Sequence, residues 1–309
     1  MIGLLFSGQG AQKTGLTHDL YLQEPRYRQI IDQASAVLNW DLPALMFDDR
    51  YADKLAQTQY AQPVILAQSY GLFQLIRDYL PAPSEALGLS LGEYSALACG
   101  DYLDFATILK VIQRRGELMQ NASDQVHSKM VALMHASLAQ VQTACQRAQT
   151  HGVVAVANVN TPQQIVIGGE IAAVDAATAW LQQQDRHIRK VTLVVSGAFH
   201  TPLMQPIQAQ LQDVLAPLVW QKGKFRVWST TTQQVFTPEN LTATLTSQLV
   251  SPTNFAATLT SLVDQLTAVI EVGPGRTLLG FTKKILPTLP RYQIDSIDKL
   301  AATRSALGG

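Results

Sequence analysis

Cysteine is nearly absent: Cys99 and Cys145 are the only two among 309 residues. Two thiols so far apart give neither a disulfide framework nor metal-ligand spacing. Both are read as small apolar residues in a reduced compartment. Charge is sparse as well, at 15% of residues, and 23 Lys and Arg balance 23 Asp and Glu. That excludes a global basic field for nucleic acid and leaves only local patches open. No uninterrupted apolar run is long enough to span a bilayer. The stretch Met1–Gly10 has no basic segment ahead of its apolar run, which a secretory signal requires. Internal repeats and low-complexity tracts are missing too. The expectation is a cytoplasmic protein with no membrane and no nucleic-acid partner.

Hydrophobic residues make up 47% of the chain, and its length suits one large core or a large domain carrying a smaller one. A strand is expected at Ile2–Phe6, running into the turn Gly8-Gln9-Gly10. Helical patterns follow to Leu80, including Pro63–Tyr79. A brief strand around Leu87 leads to Gly88, and a helix begins after Ser90 and stops at Gly100. Asp104 is a plausible N-cap for the next helix. On that helix Phe105, Ile108, Leu109, Ile112, Gly116 and Met119 share one face, with Arg115 at its edge. Arg114, Lys110 and Glu117 fall away from it.

Residues 129 to 195 change rhythm. Strands are expected at Met130–Met134, Val153–Ala157, Gln164–Ile167 and Ile188–Val195, with helices at Leu138–Gln149 and Ala172–Gln184. The order βαββαβ is the ferredoxin-like pattern. It places a small subdomain, residues 126–196, inside a larger α/β domain made of residues 1–125 and 197–309. A strand Ala268–Val272 ends in Gly273-Pro274-Gly275, and the small polar tail Ala301–Gly309 is expected to be loose.

Gly88-Leu89-Ser90-Leu91-Gly92 matches G-x-S-x-G. On a strand–turn–helix that spacing makes a nucleophile elbow, with the serine hydroxyl at a helix N-terminus whose free N–H groups favour an oxyanion. Taken alone, the pentapeptide reads equally well as a serine N-cap in a Gly-rich turn. Arg115 carries an independent signal. A guanidinium cannot be neutralised, so a place beside an apolar stripe calls for an anionic partner, either a ligand carboxylate or a protein Asp or Glu.

The wider stretch Gly88-Leu89-Ser90-Leu91-Gly92-Glu93-Tyr94-Ser95-Ala96-Leu97 closely resembles the malonyl-CoA:acyl carrier protein transacylase family and its fatty-acid and polyketide synthase relatives. Phe6-Ser7-Gly8-Gln9-Gly10-Ala11-Gln12, Gln113-Arg114-Arg115-Gly116-Glu117-Leu118-Met119-Gln120, Gly197-Ala198-Phe199-His200-Thr201-Pro202-Leu203-Met204 and Glu271-Val272-Gly273-Pro274-Gly275 resemble its other motifs, in order along the chain. The resemblance implies an α/β-hydrolase-like large domain with a ferredoxin-like insert. It implies Ser90 as nucleophile and His200 as base, with the imidazole oriented by the backbone carbonyl of Gln248. Gln9 and Leu91 would form the oxyanion hole through their N–H groups. Arg115 would bind the malonyl carboxylate, with Met119 and Phe199 also contacting substrate and Phe199 crowding methylmalonyl. The five remaining histidines are read as structural.

Two positions depart from the family pattern: Leu89 stands where histidine is usual, and Ser7 where proline is frequent. The implied partners are malonyl-CoA and an acyl carrier protein, with no metal, no bound cofactor and a monomeric enzyme. Arg186, Arg189 and Lys190, or Arg276, Lys283 and Lys284, could dock an acidic carrier protein. Rival readings are an acyltransferase of malonate decarboxylase or a polyketide pathway, a simple hydrolase, or an inactive carrier-binding module.

Overall fold

The computed structural model describes residues 1–81 and 84–308. Its larger sheet contains β1 (Ile2–Phe6), β2 (Glu85–Gly88), β7 (Arg226–Trp228), β9 (Ala268–Val272) and β10 (Arg291–Gln293) in the order β10-β9-β1-β2-β7. Every pairing is parallel. A parallel sheet is covered by helices on both faces, so its central strands read as continuous apolar runs. β1, β2 and β9 are buried at every position. The two-residue period then divides their side chains between two cores. Leu4, Phe6, Ile270 and Val272 enter the main core, while Leu5, Leu87 and Val269 pack on the opposite face with Phe255, Leu259 and Leu278.

The second sheet holds β3 (Ser128–Met134), β4 (Val154–Thr161), β5 (Gln164–Glu170), β6 (Arg189–Thr192) and β8 (Thr253–Asn254), in the order β6-β3-β5-β4-β8. Its first four strands are antiparallel, and helices Leu138–Ala148 and Ile171–Gln184 complete the ferredoxin-like βαββαβ unit. Val131, Leu133, Ile165 and Ile167 point to the two helices and form a separate core. Met130, Ala132 and Val166 point the other way, into the main core. The small sheet thus lays one face over the larger domain.

The structure corrects several sequence expectations. β8 extends the small sheet from residues 253–254, paired parallel to β4. Two residues carry no alternation to read, and the three-residue strands β7 and β10 escaped for the same reason. The strand expected over Ile188–Val195 forms only at Arg189–Thr192. The tail is also different. Ile297–Ala306 is a helix, with Leu300 and Thr303 buried and Arg304 bonded to the Leu75 carbonyl and to Glu24. Its alanines favour a helix, and tertiary contacts secure what a composition-based reading took for a loose end; Gly309 lies outside the described residues.

Candidate active site

Ligands bind open α/β sheets beyond the carboxyl ends of the strands. There β1 delivers Gln9 and β2 delivers Ser90. The turn at Ser90 is tight enough to forbid side chains on either side: a Cβ on Gly88 would lie 2.0 Å from the Gly92 carbonyl carbon, and one on Gly92 would lie 2.0 Å from the Phe6 carbonyl oxygen. Ser90 itself has φ 57° and ψ −103° and makes no side-chain cap bond to its helix, Leu91–Cys99. Such backbone strain concentrates at functional sites. It turns the hydroxyl away from capping and toward the cleft. Leu91 is the first helical residue, so its N–H is one of those the helix leaves without an internal partner.

His200 also has positive φ, 60°, and is buried. Its Nδ1 lies 2.8 Å from the Gln248 carbonyl oxygen. A carbonyl only accepts, so Nδ1 carries the proton and Nε2 keeps its lone pair. Burial, followed by the charge of Arg115, pulls the imidazole down to about 4. It is therefore neutral at pH 7 and able to take a proton.

Helix Phe105–Asp124 starts at the Asp104 cap, whose side chain accepts from Thr107 N at 2.9 Å. Arg114 and Glu117 pair on its exposed side. Arg115 lies inside, 1% exposed. Its Nη1 donates to Gln62 Oε1 at 2.6 Å, and its Nη2 donates to Gln248 Oε1 at 3.0 Å and to Ser90 Oγ at 3.1 Å. Among the described residues no carboxylate forms a salt bridge with it, and its Nε has no partner. Gly116 meets the chain rather than a ligand: a Cβ there would lie 2.9 Å from Gln59 Cα.

Ser90, His200, Arg115, Gln9, Leu91, Met119 and Phe199 all line one cleft of about 420 Å³. Gln248 approaches from behind, through its carbonyl and its amide. A polar chain not legible in the motifs links the same parts. Gln62 Nε2 donates to Thr58 Oγ1 at 2.8 Å, and that hydroxyl donates to Gln9 Oε1 at 2.6 Å. The sequence offered little signal, since Gln62 is one of four glutamines in the helix Thr58–Ile76. Asn158 and Asn160 reach the cleft from β4. Leu89 is half-buried on the cleft wall and packs on the second core. Ser7 donates to buried Glu271 at 3.0 Å, a bond proline could not make. Both cysteines are free and buried.

A strained serine at a helix N-terminus and a carbonyl-oriented neutral histidine in one cleft are parts that acyl transfer needs. The family model for the acyl transferase domain matches residues 4–293, and the chain belongs to that family. Its relatives there are malonyl transacylases. The malonyl CoA-acyl carrier protein transacylase of Staphylococcus aureus (strain MRSA252) is 33% identical over 288 residues, 91% of each chain. The MCAT structure from Streptococcus pneumoniae superposes with a TM-score of 0.93 at 37% identity, covering 99% of this chain and 100% of that one. A type II PKS acyl-carrier protein in complex with its malonyl-transacylase contains a chain with TM-score 0.94 and 30% identity, with 99% of each chain covered.

Proposed function

We propose that this acyltransferase moves a malonyl group from malonyl-CoA to the phosphopantetheine thiol of an acyl carrier protein, supplying fatty-acid synthesis. Ser90 Oγ attacks the thioester carbonyl as its proton passes to His200 Nε2. The C–S bond breaks, and CoA leaves with that proton. The carrier thiol then attacks the malonyl ester, its proton goes to His200, and the Ser90 oxygen recovers it as the ester bond breaks. Gln9 and Leu91 N–H groups stabilise the oxyanion in both halves.

Arg115 is the observation that carries the substrate assignment. It is a buried cation with no protein carboxylate paired to it among the described residues, and it touches the nucleophile oxygen. The free carboxylate of a malonyl ester on Ser90 folds back onto that guanidinium, which suits it bidentately. An esterase has no use for such a group.

Docking of the carrier protein is assigned to the cleft mouth. Arg186, Arg189 and Lys190 are exposed just before Leu193–Val195, which line the cleft, and Val194 is 98% exposed. Arg276, Lys283 and Lys284 are exposed around the helix that contributes Thr277 and Phe281 to the cleft lining. No helix among the described residues is long and apolar enough to cross a membrane. The enzyme is proposed to act as a cytoplasmic monomer without metal or bound cofactor.

Steady-state assays with malonyl-CoA and holo acyl carrier protein test the reading. A malonyl-serine intermediate predicts parallel double-reciprocal lines and malonyl-loaded carrier. Intersecting lines, or release of free malonate without carrier loading, would refute it.

A further inference from the structure

Ser90-Leu91-Gly92-Glu93 has the S-x-x-E spacing of a capping box, in which serine and glutamate each close on the other's backbone N–H. Neither half forms. The Ser90 hydroxyl makes no cap bond, and Glu93, 0% exposed, turns to donors from distant segments. Its Oε1 accepts from Thr230 N and Thr230 Oγ1, both at 2.6 Å. Its Oε2 accepts from Gln248 Nε2 at 2.6 Å. The same amide nitrogen reaches the Ser90 carbonyl at 3.2 Å, while Gln248 Oε1 accepts from Arg115.

A buried carboxylate and a buried guanidinium therefore face each other across a single amide. The amide oxygen points to the cation and its NH₂ to the anion, so its dipole favours both. Unpaired buried charges are costly, yet a direct Glu–Arg pair would fill the fork that the acyl carboxylate needs. We propose that Glu93 is a positioning residue for Arg115: it fixes the Gln248 amide and offsets the guanidinium charge at one remove, without placing a protein carboxylate where the acyl carboxylate must bind. This rests on the malonyl-transfer reading. Burial outweighs the bonds from Thr230 and Gln248 and the charge of Arg115, so the Glu93 carboxyl is raised to about 7.

Hydrogen-bond accounting makes the claim testable. In Glu93→Gln, the two Thr230 donors hold the new amide oxygen at the Oε1 position. Its NH₂ then faces Gln248 Nε2, donor against donor. The Gln248 amide must turn over and present NH₂ to Arg115, which loses an acceptor and its orientation. The Gln248 backbone carbonyl, and with it His200, stays in place.

Competition between malonyl-CoA and acetyl-CoA for loading should show the malonyl preference of Glu93→Gln reduced about tenfold, the scale of one lost hydrogen bond to a charged group. Acetyl loading should stay within about twofold of wild type. In an Arg115→Ala background, Glu93→Gln should alter the ratio by less than about twofold, because residues acting through one another are not additive. Thr230→Val, which removes one donor to Glu93 and keeps the side-chain shape, should shift the ratio in the same direction by less. Equal losses for both acyl donors, additivity with Arg115→Ala, or a raised malonyl preference would overturn the proposal; the last would mean that Glu93 acts only as a repelling charge. Wild-type protein that loads no malonyl would instead overturn the functional reading itself.

Discussion

Replacing Arg115 by alanine separates substrate recognition from chemistry. The side chain is buried and donates to Gln62, Gln248 and Ser90. In the acylated enzyme it is assigned a charge-assisted pair with the malonyl carboxylate, worth about 1.5–3 kcal/mol, or about ten- to a hundredfold in binding. Malonyl loading should fall by at least that much. Two effects act differently on acetyl loading. Acetyl makes no pair to lose, and removing the guanidinium lifts a charge that holds the imidazole down, so His200 becomes a stronger base. Acetyl loading should therefore hold or rise. Stability should fall, because the side chain is fully buried and its loss leaves a cavity, strands the Gln62 and Gln248 amide oxygens and removes the cation that Glu93 faces across the Gln248 amide; the loading ratio, which general damage does not move, carries the test. Competition assays with malonyl-CoA and acetyl-CoA, alongside calorimetry, measure both quantities. A malonyl-to-acetyl ratio equal to wild type would show that the arginine is structural and remove the main support for malonate.

His200 should remain neutral down to about pH 4, so acylation by a neutral activated ester should keep its rate below pH 6.5 and fall only near about 4; Arg115→Ala should move this limb upward, and a wild-type limb near 6.5 would contradict the burial argument. The stability linked to the same group has a definite sign. Its folded value lies below its unfolded one, so the contribution is complete above about 6.5 and is lost as pH falls toward 4. Gly92→Ala drives a Cβ into the Phe6 carbonyl and should cost about 3 kcal/mol or more, seen as a lower Tm. Gly280→Ala meets nothing within 4 Å and should raise stability by about 0.5–1 kcal/mol. Phe199→Ser should relax exclusion of methylmalonyl-CoA in competition assays while leaving acetyl discrimination intact, since Arg115 remains.

Local pattern revealed those parts of the fold whose burial follows a period. The five-residue apolar run of β1, the stripe of helix Phe105–Asp124 and the βαββαβ alternation could all be read directly. β7, β8 and β10 could not, because two or three residues do not establish a period and their pairing is decided by distant strands. The tail misled for a related reason: Leu300 and Thr303 are buried by partners that local composition does not display. At the candidate site, Ser90, Arg115 and His200 stood out through motif context and meet in one cleft. Gln62, Glu93 and Thr230 did not, since each is an ordinary polar residue until the fold aims it. Gln248 was marked for its carbonyl alone, while its side chain also joins Arg115 to Glu93. Such buried networks join residues more than a hundred positions apart, and no spacing rule reports them.

The central claim is a covalent malonyl ester on Ser90, and intact-protein mass spectrometry after mixing with malonyl-CoA tests it most directly. Wild type should gain one malonyl mass, lose it when holo acyl carrier protein is added, and gain none in Ser90→Ala. His200→Ala should acquire it at least about 10²-fold more slowly, the usual scale for a lost general base. Labelling of Ser90→Ala to the same extent as wild type, or an unlabelled wild type that still transfers malonyl to the carrier, would contradict the account.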